Sequence, residues 1–364
     1  MPTGSLLRRQ SVRPVHTPQP KASTVSVVIP CHNYERYLPA AIDSAISQAG
    51  VEVDVIVVDD ASTDGSLDAA RAAAKRHANV QVVAHSENTG PVITFNDGLD
   101  LARGEFLVRL DADDLLTPGA LLRAVEVMRA HPSVGLVYGH PLHFEGDRLP
   151  RARERTTAWT LWPGRAWLAD RCRTGVNVIT SPEVVMRSSV VARVGGQRPL
   201  AHTHDMEMWL RISAVSDVAY IRGADQAWHR EHNASLSARK VDAYVDMVER
   251  KLAFETLFDW MTKQRIDTAG LREDAMRAVA ASALRQASRL YDHGAAESET
   301  QRYIDVAATV VADLERVPGW AGLQRRKAVG AARARRSPLS KVARLYRRVL
   351  SDFEKRRWHR QGIF

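Results

Sequence analysis

From residue 25 to residue 110 the chain repeats one pattern, a short run that is mostly apolar and then a longer stretch with apolar residues at helical spacing. The runs are 25–29, 53–58, 80–84 and 106–110. A strand with one wet face alternates apolar and polar residues, so strands that are mostly apolar belong to a sheet covered on both sides. Between them lie 34–48, 64–77 and 92–102; in the first, Leu38, Ala41, Ile42, Ala45 and Ile46 make one helical face and Gly50 supplies a C-terminal cap. Strands separated by helices in this way predict an α/β, doubly wound domain with a mainly parallel sheet.

The pattern then changes. A helix over 117–130 and a strand over 134–138 are followed by an Arg-rich, Trp-containing stretch from 145 to 163 with weak periodicity. Helices are predicted over 184–194 and 205–216, and a strand over 218–221. Beyond 237 the period is helical, over 241–262, 271–291, 297–314 and 339–357. The organisation read from this is a disordered polar leader (1–23), an α/β domain (24–237) with halves at 24–140 and 141–237, a helical extension (238–323) and a basic amphipathic tail (324–364).

Composition narrows the class. Hydrophobic residues at 45% and charged residues at 26% are globular values, and two cysteines, Cys31 and Cys172, cannot staple 364 residues or build a Cys-rich metal centre. A reducing, cytoplasmic location is expected, because no segment has the apolar length of a signal peptide or a membrane span. The net charge of +9 is unevenly spread: residues 324–364 carry +12, leaving −3 on the rest. The body is therefore not a basic surface for gripping nucleic acid.

In an open parallel sheet, ligands bind beyond the C-terminal ends of the strands. The first strand ends in Pro30-Cys31-His32-Asn33, which is no glycine-rich phosphate turn, so dinucleotide-binding and P-loop readings fall away, as does a nucleotidylyltransferase. The second ends in Asp59-Asp60-Ala61-Ser62-Thr63-Asp64, where Thr63 and Asp64 suit a helix start and Asp59 and Asp60 suit polar ligand groups. The fourth ends in Asp111-Ala112-Asp113-Asp114, carboxylates whose mutual repulsion a hard divalent cation, Mg2+ or Mn2+ on a diphosphate, would relieve.

Together these segments resemble the inverting glycosyltransferases of family 2, which have the GT-A fold. VSVVIPCHN, VDDASTDGS, Glu87-Asn88-Thr89-Gly90 with Asn96, Gly104-Glu105-Phe106 and LDADD stand in the family's order, and the similarity runs from 24 to 237. The resemblance implies a nucleotide-sugar site made by Pro30, His32, Asn33, Asp59, Asp60, Asn88, Gly90, Asp111, Asp113 and Arg230. Within it Asp60 reads the base, His32 stacks in place of the family's usual Tyr, and Asp113, Asp114 and His232 hold the metal. Val194-Gly195-Gly196 and His204-Asp205 through Arg211 resemble a GGF…EDxxLWLR stretch, which makes Asp205 the general base; His204 replaces the family's Glu, and a protonated His204 would lower the Asp205 pKa. A zinc site at His202, His204 and Asp205 is a weak signal by spacing.

The implied activity is metal-dependent, inverting transfer from a nucleotide sugar, a UDP-sugar by resemblance, to a glycan or lipid-linked acceptor hydroxyl. In the tail, Val342, Leu345, Tyr346, Val349, Leu350 and Phe353 form an apolar stripe among arginines. That helix suits an anionic membrane surface, peripherally at its inner face, and equally suits packing on the preceding helices. The alternative from another class is a non-catalytic, membrane-associated or carbohydrate-binding protein retaining the fold.

Overall fold

The computed structural model describes residues 8–15, 22–232 and 242–330, together with 349, 353, 356–358 and 362. The chain opens with β1 (Gln10–Val12), β2 (Ser23–Cys31), α1 (Leu38–Ile46), β3 (Val51–Asp59), α2 (Ser66–Arg76), β4 (Val80–Ala84), α3 (Pro91–Leu101) and β5 (Phe106–Arg109). It continues through β6 (Leu115–Leu116), α4 (Ala120–Ala130), β7 (Val134–Glu145), β8 (Ala158–Trp162), α5 (Gly164–Thr174), β9 (Val185–Arg187), α6 (Ser188–Val194), α7 (His204–Val215) and β10 (Asp217–Glu231). Helices α8 (Ala243–Lys263), α9 (Leu271–His293), α10 (Glu297–Val310) and α11 (Trp320–Val329) follow.

Among the described residues the strands form one sheet, ordered β1-β8-β10-β7-β9-β5-β2-β3-β4, with β6 paired to the far end of β10. The expected parallel half is present: β5, β2, β3 and β4 run parallel, and the order reverses at β2, so β2 and β5 end at a switch point. Alternate residues of β2 enter opposite cores, Val28 packing with Ile56 and Phe95 on one face, and Val25, Val27 and Ile29 with Val55 and Val57 on the other. Helix α3 lies close on the sheet because residue 98 is glycine, where a Cβ would fall 2.5 Å from Val28 Cγ1.

The second half departs from expectation in three places. Residues 10–12 of the leader read as disordered are an edge strand, β1, antiparallel to β8. Strand β8 itself lies in the stretch whose periodicity was weak, since Trp159, Leu161 and Trp162 are buried on both sides of a short strand and show no alternation. The helix expected over 184–194 begins later, at Ser188, because Val185–Arg187 pairs antiparallel with β5 and β7. These antiparallel strands make the sheet mixed, though its donor half stays parallel.

The helices after residue 242 share one apolar cluster with the sheet, running from Val28 and Leu136 through Trp209, Phe254 and Leu257 to Leu284 and Leu323. The helix expected over 339–357 lies mostly outside the described residues. Where the tail is described it meets the fold: the Trp358 indole N–H donates to the Val178 carbonyl (2.7 Å) and the Tyr138 hydroxyl donates to the Gly362 carbonyl (2.6 Å). Among the described residues no helix is long and apolar enough to cross a membrane.

Candidate active site

The turn after β3 carries the first group. Asp59 is buried; its Oδ2 accepts the Ser62 N–H (3.1 Å) and so shapes the turn, while its Oδ1 has no hydrogen-bond partner. Asp60 accepts from the backbone N–H and hydroxyl of Thr89 (2.8 and 2.9 Å) and from the Gly90 N–H (2.8 Å), and His85 Nδ1 lies 2.9 Å from it. Burial works against its charge, but these hydrogen bonds outweigh burial and hold the carboxyl below the usual range. Gly90 sits at φ 88°, a conformation that favours glycine, and aims its N–H at this carboxylate. Three of the four donors crowd Oδ1, while Oδ2 has room for a further N–H.

Pro30 is buried in β2 beside Val58. His32 follows, with Nδ1 2.7 Å from the Asp60 carbonyl, and Asn33 accepts the Thr63 N–H (2.7 Å) from a left-handed backbone at φ 62°. Asn88 is exposed on the loop that Asp60 holds. Sequence reasoning missed His85, which bridges Asp60 to Asp97 (3.1 Å from Nε2) and so ties this loop to α3.

The acidic motif is clamped by the end of β10. Asp114 is 1% exposed: its Oδ1 accepts the Arg230 N–H (2.8 Å) and its Oδ2 lies 3.1 Å from His229 Nδ1. Burial alone would hold His229 neutral; the hydrogen bond and charge of Asp114 outweigh it and raise the imidazole's pKa, while burial pushes the Asp114 carboxyl up to about 7, so the two share a buried hydrogen bond. Asp114 thus anchors the end of β10 to the acidic motif. Arg230, expected at the diphosphate, is 7% exposed and sandwiched between the rings of Tyr37 (4.6 Å) and Phe144 (4.4 Å), with Nε donating to the Asp113 carbonyl (3.0 Å). It too is internal. The guanidinium expected at the diphosphate also ties β10 to the acidic motif.

Asp113 and His232 remain together, with Nε2 2.8 Å from Oδ2 and the imidazole 5.3 Å from the Tyr37 ring. Burial and the neighbouring Asp111 push the Asp113 carboxyl up, the strain a cation would relieve. Among the described residues no three His, Cys, Asp or Glu side chains are grouped to hold a metal alone. A carboxylate and an imidazole still fit a hard cation that takes its other ligands from a substrate diphosphate. The weak zinc reading at His202, His204 and Asp205 is not met.

Asp111 is 32% exposed at its side chain and is held by Arg109 at 2.7 Å. Arg109 is buried at the end of β5, and its Nε has no hydrogen-bond partner. Its signal in the sequence was a charged residue inside a strand otherwise apolar throughout, and it went unread. Arg109 also links the motif to Asp205, whose burial raises its pKa to about 6 against the opposing pull of the Arg109 charge. His204 is buried with an unpartnered Nδ1, and burial pushes its pKa well below the usual value. Desolvation disfavours the protonated His204 that would lower the Asp205 pKa, and Arg109 is the cation that lowers it most.

Asp205 stands in the first turn of α7, its Oδ1 accepting the Met206 N–H (2.6 Å). Three contacts set that helix. Arg211 pairs with the buried Glu207 (2.7 Å) and donates to the carbonyls of Val194, Gly195 and Gly196. Asn96 on α3 binds both backbone groups of Gln197, at 2.8 and 3.0 Å, and a Cβ at Gly196 would strike its Oδ1. Glu249 on α8 accepts the His202 N–H (3.0 Å) and its carbonyl takes the Thr203 hydroxyl (3.0 Å), so the helical extension helps place Asp205.

The fold is an α/β domain with a mainly parallel donor half and carboxylates at a sheet switch point. Residues 26–195 match the model of glycosyl transferase family 2. The fold is that of S. aureus TarS 1-349 in complex with UDP-GlcNAc, with a TM-score of 0.62 over 86% of this chain and 89% of that one at 16% identity. An uncharacterized glycosyltransferase of Nostoc sp. is 32% identical over 151 residues, 39% of this chain and 47% of that protein. The poly(ribitol-phosphate) beta-glucosyltransferase of Bacillus spizizenii is 38% identical over 136 residues, 36% of this chain and 21% of that protein. The chain thus spans less than half the length of these two relatives.

Proposed function

We propose that the protein is a divalent-cation-dependent, inverting glycosyltransferase that moves a sugar from a nucleotide sugar to an acceptor hydroxyl. The observation that carries this reading is the linkage of Asp113–His232 through Asp111 and Arg109 to Asp205, a carboxyl whose pKa of about 6 suits a general base near neutrality. Asp60 Oδ2 reads a base N–H, with His32, Asn33, Asn88 and Gly90 around it and Asp111 at the ribose. Asp113 and His232 hold Mg2+ or Mn2+, which neutralises the charge on the departing diphosphate. Asp205 takes the acceptor proton as the hydroxyl oxygen bonds to the anomeric carbon and the bond from that carbon to the diphosphate oxygen breaks. One displacement inverts configuration.

A UDP-sugar is the proposed donor and an envelope glycan or polyol-phosphate chain the proposed acceptor, a reading supported by the activity named for the Bacillus spizizenii relative. The protein works at the cytoplasmic face of the membrane, where Val349 and Phe353, both exposed among tail arginines, meet anionic lipid. Nucleotide release from a panel of sugar nucleotides, with Mg2+, Mn2+ or chelator, tests the chemistry. Turnover of one donor that chelator abolishes, and that Asp205→Asn removes while donor still binds, is the expected result. Failure of every donor to bind with either metal returns the chain to the non-catalytic alternative.

A further inference from the structure

On a body that carries net negative charge outside its tail, one concave surface stands out as basic. The loop from β7 to β8 and the bulge of β10 enclose a groove of about 770 Å3, floored by Pro118, Leu149 and Trp228 and edged by Arg151, Arg153 and Arg155. Glu154 is the acid in its lining. Arg153 is neutralised by the buried Asp225, which accepts its backbone N–H (2.7 Å) and lies 2.5 Å from Nη2. Arg151 and Arg155 are exposed, and among the described residues neither makes an ion pair, so two cations face solvent against one carboxylate.

The groove is built into the fold. Gly223 at φ 89° sits in the β10 bulge, and a Cβ there would fall 2.6 Å from Thr157 and 2.9 Å from the Arg155 carbonyl, so glycine lets the Arg-rich segment lie against the strand. The Trp228 indole N–H donates to the Pro150 carbonyl (2.9 Å), fixing the ring, while Leu149 stays 40% exposed. Both ends of the floor adjoin the acidic motif: Pro118 follows Asp114 by four positions, and Trp228 precedes His229, which holds Asp114. The loop is pinned to the donor half by Arg36 on Asp147 (2.9 Å) and by Arg230 on the Gly146 carbonyl.

We propose that this groove is a second acceptor subsite, gripping an extended anionic polyol or glycan chain beyond the unit being glycosylated. Arg151 and Arg155 take its phosphates or carboxylates, and the Trp228 and Leu149 surfaces take the carbon faces between them. Regular anions separated by apolar carbon faces match cations flanking an aromatic floor; a neutral glycan would leave both charges unmatched, and a nucleic acid lacks the continuous polyol face. The inference rests on the transferase reading, but its test is separable.

The full-length chain and an R151Q/R155Q variant are titrated by calorimetry at low salt with four probes of matched length: poly(ribitol phosphate), oligogalacturonate, neutral dextran and single-stranded DNA. Donor hydrolysis without acceptor is measured on both. The expected result is binding of one or both anionic carbohydrate probes, weakened about tenfold in the variant, with the difference shrinking at high salt and donor hydrolysis unchanged. The polyol-phosphate and uronate arms then say which anion is used. Equal binding by wild type and variant overturns the subsite, as does binding of DNA or dextran as tight as that of the anionic carbohydrates. Failure of the wild type to bind any sugar nucleotide with either metal speaks against the transferase reading, and leaves the binding result to decide the groove.

Discussion

Asp205 should be both the base of the reaction and a liability to the fold, and one substitution separates the two. Its pKa is raised to about 6, first by burial, with the charge of Arg109 and the Met206 N–H pulling the other way. A base with that midpoint is about 90% ionised at pH 7 and about 10% at pH 5, so turnover should fall roughly tenfold across that interval, whereas an ordinary aspartate would stay ionised at both. Nucleotide release at saturating donor and acceptor between pH 4.5 and 8 measures this. Arg109→Gln removes the opposing cation and should move the limb to higher pH by on the order of one unit.

The sign for stability is the reverse of the usual aspartate. Because the folded pKa lies above the unfolded one, the folded state binds the proton more tightly, and stability is lost as pH rises from about 4 through about 6. The loss is complete above the folded pKa and has an upper bound on the order of 3 kcal/mol, the free energy of a proton affinity about a hundredfold above that of an ordinary aspartate. Asp205→Asn should therefore be inactive yet melt a few degrees higher than wild type at pH 8, the gap closing at pH 4. A flat rate profile from pH 5 to pH 8, or an Asn variant no more stable than wild type at pH 8, would refute the assignment of a desolvated base.

Other perturbations test the supports. Asp60→Ala strips the donors of the 85–90 loop of their acceptor and should raise the donor KM about tenfold with a smaller change in kcat, read in the same nucleotide-release assay. Asp113→Ala should abolish metal-dependent turnover with little change in melting temperature, while Asp114→Ala, which leaves His229 and the Arg230 N–H without their partner, should also lower that temperature. Glu207→Ala leaves Arg211 as an uncompensated charge at 0% exposure and should cost about 3–5 kcal/mol in chemical denaturation.

Much of the donor half was legible in the chain itself. The apolar runs at 25–29, 53–58, 80–84 and 106–110 can satisfy hydrophobic burial on two faces only as parallel strands between helices, and β2, β3, β4 and β5 follow. The same logic placed Asp60, Asp111 and Asp113 at strand ends, where carboxylates meet ligands. Short elements with both faces buried escaped it: β8 and β9 carry no period, because their partners come from distant segments.

Residue type and local order determined which groups could do chemistry here; which of them do was decided by burial and by partners that sequence spacing does not encode. Asp114 and Arg230 have the right chemistry for a cation and a diphosphate, and the fold also holds both in internal contacts, with the end of β10 and with two aromatic rings. His204 has a titratable ring beside the base, but desolvation keeps it neutral. Arg109, unremarked in its strand, becomes the cation between Asp111 and Asp205 because β5 ends between them in space. Charge depends on dielectric and on neighbours, and both are properties of the packed chain.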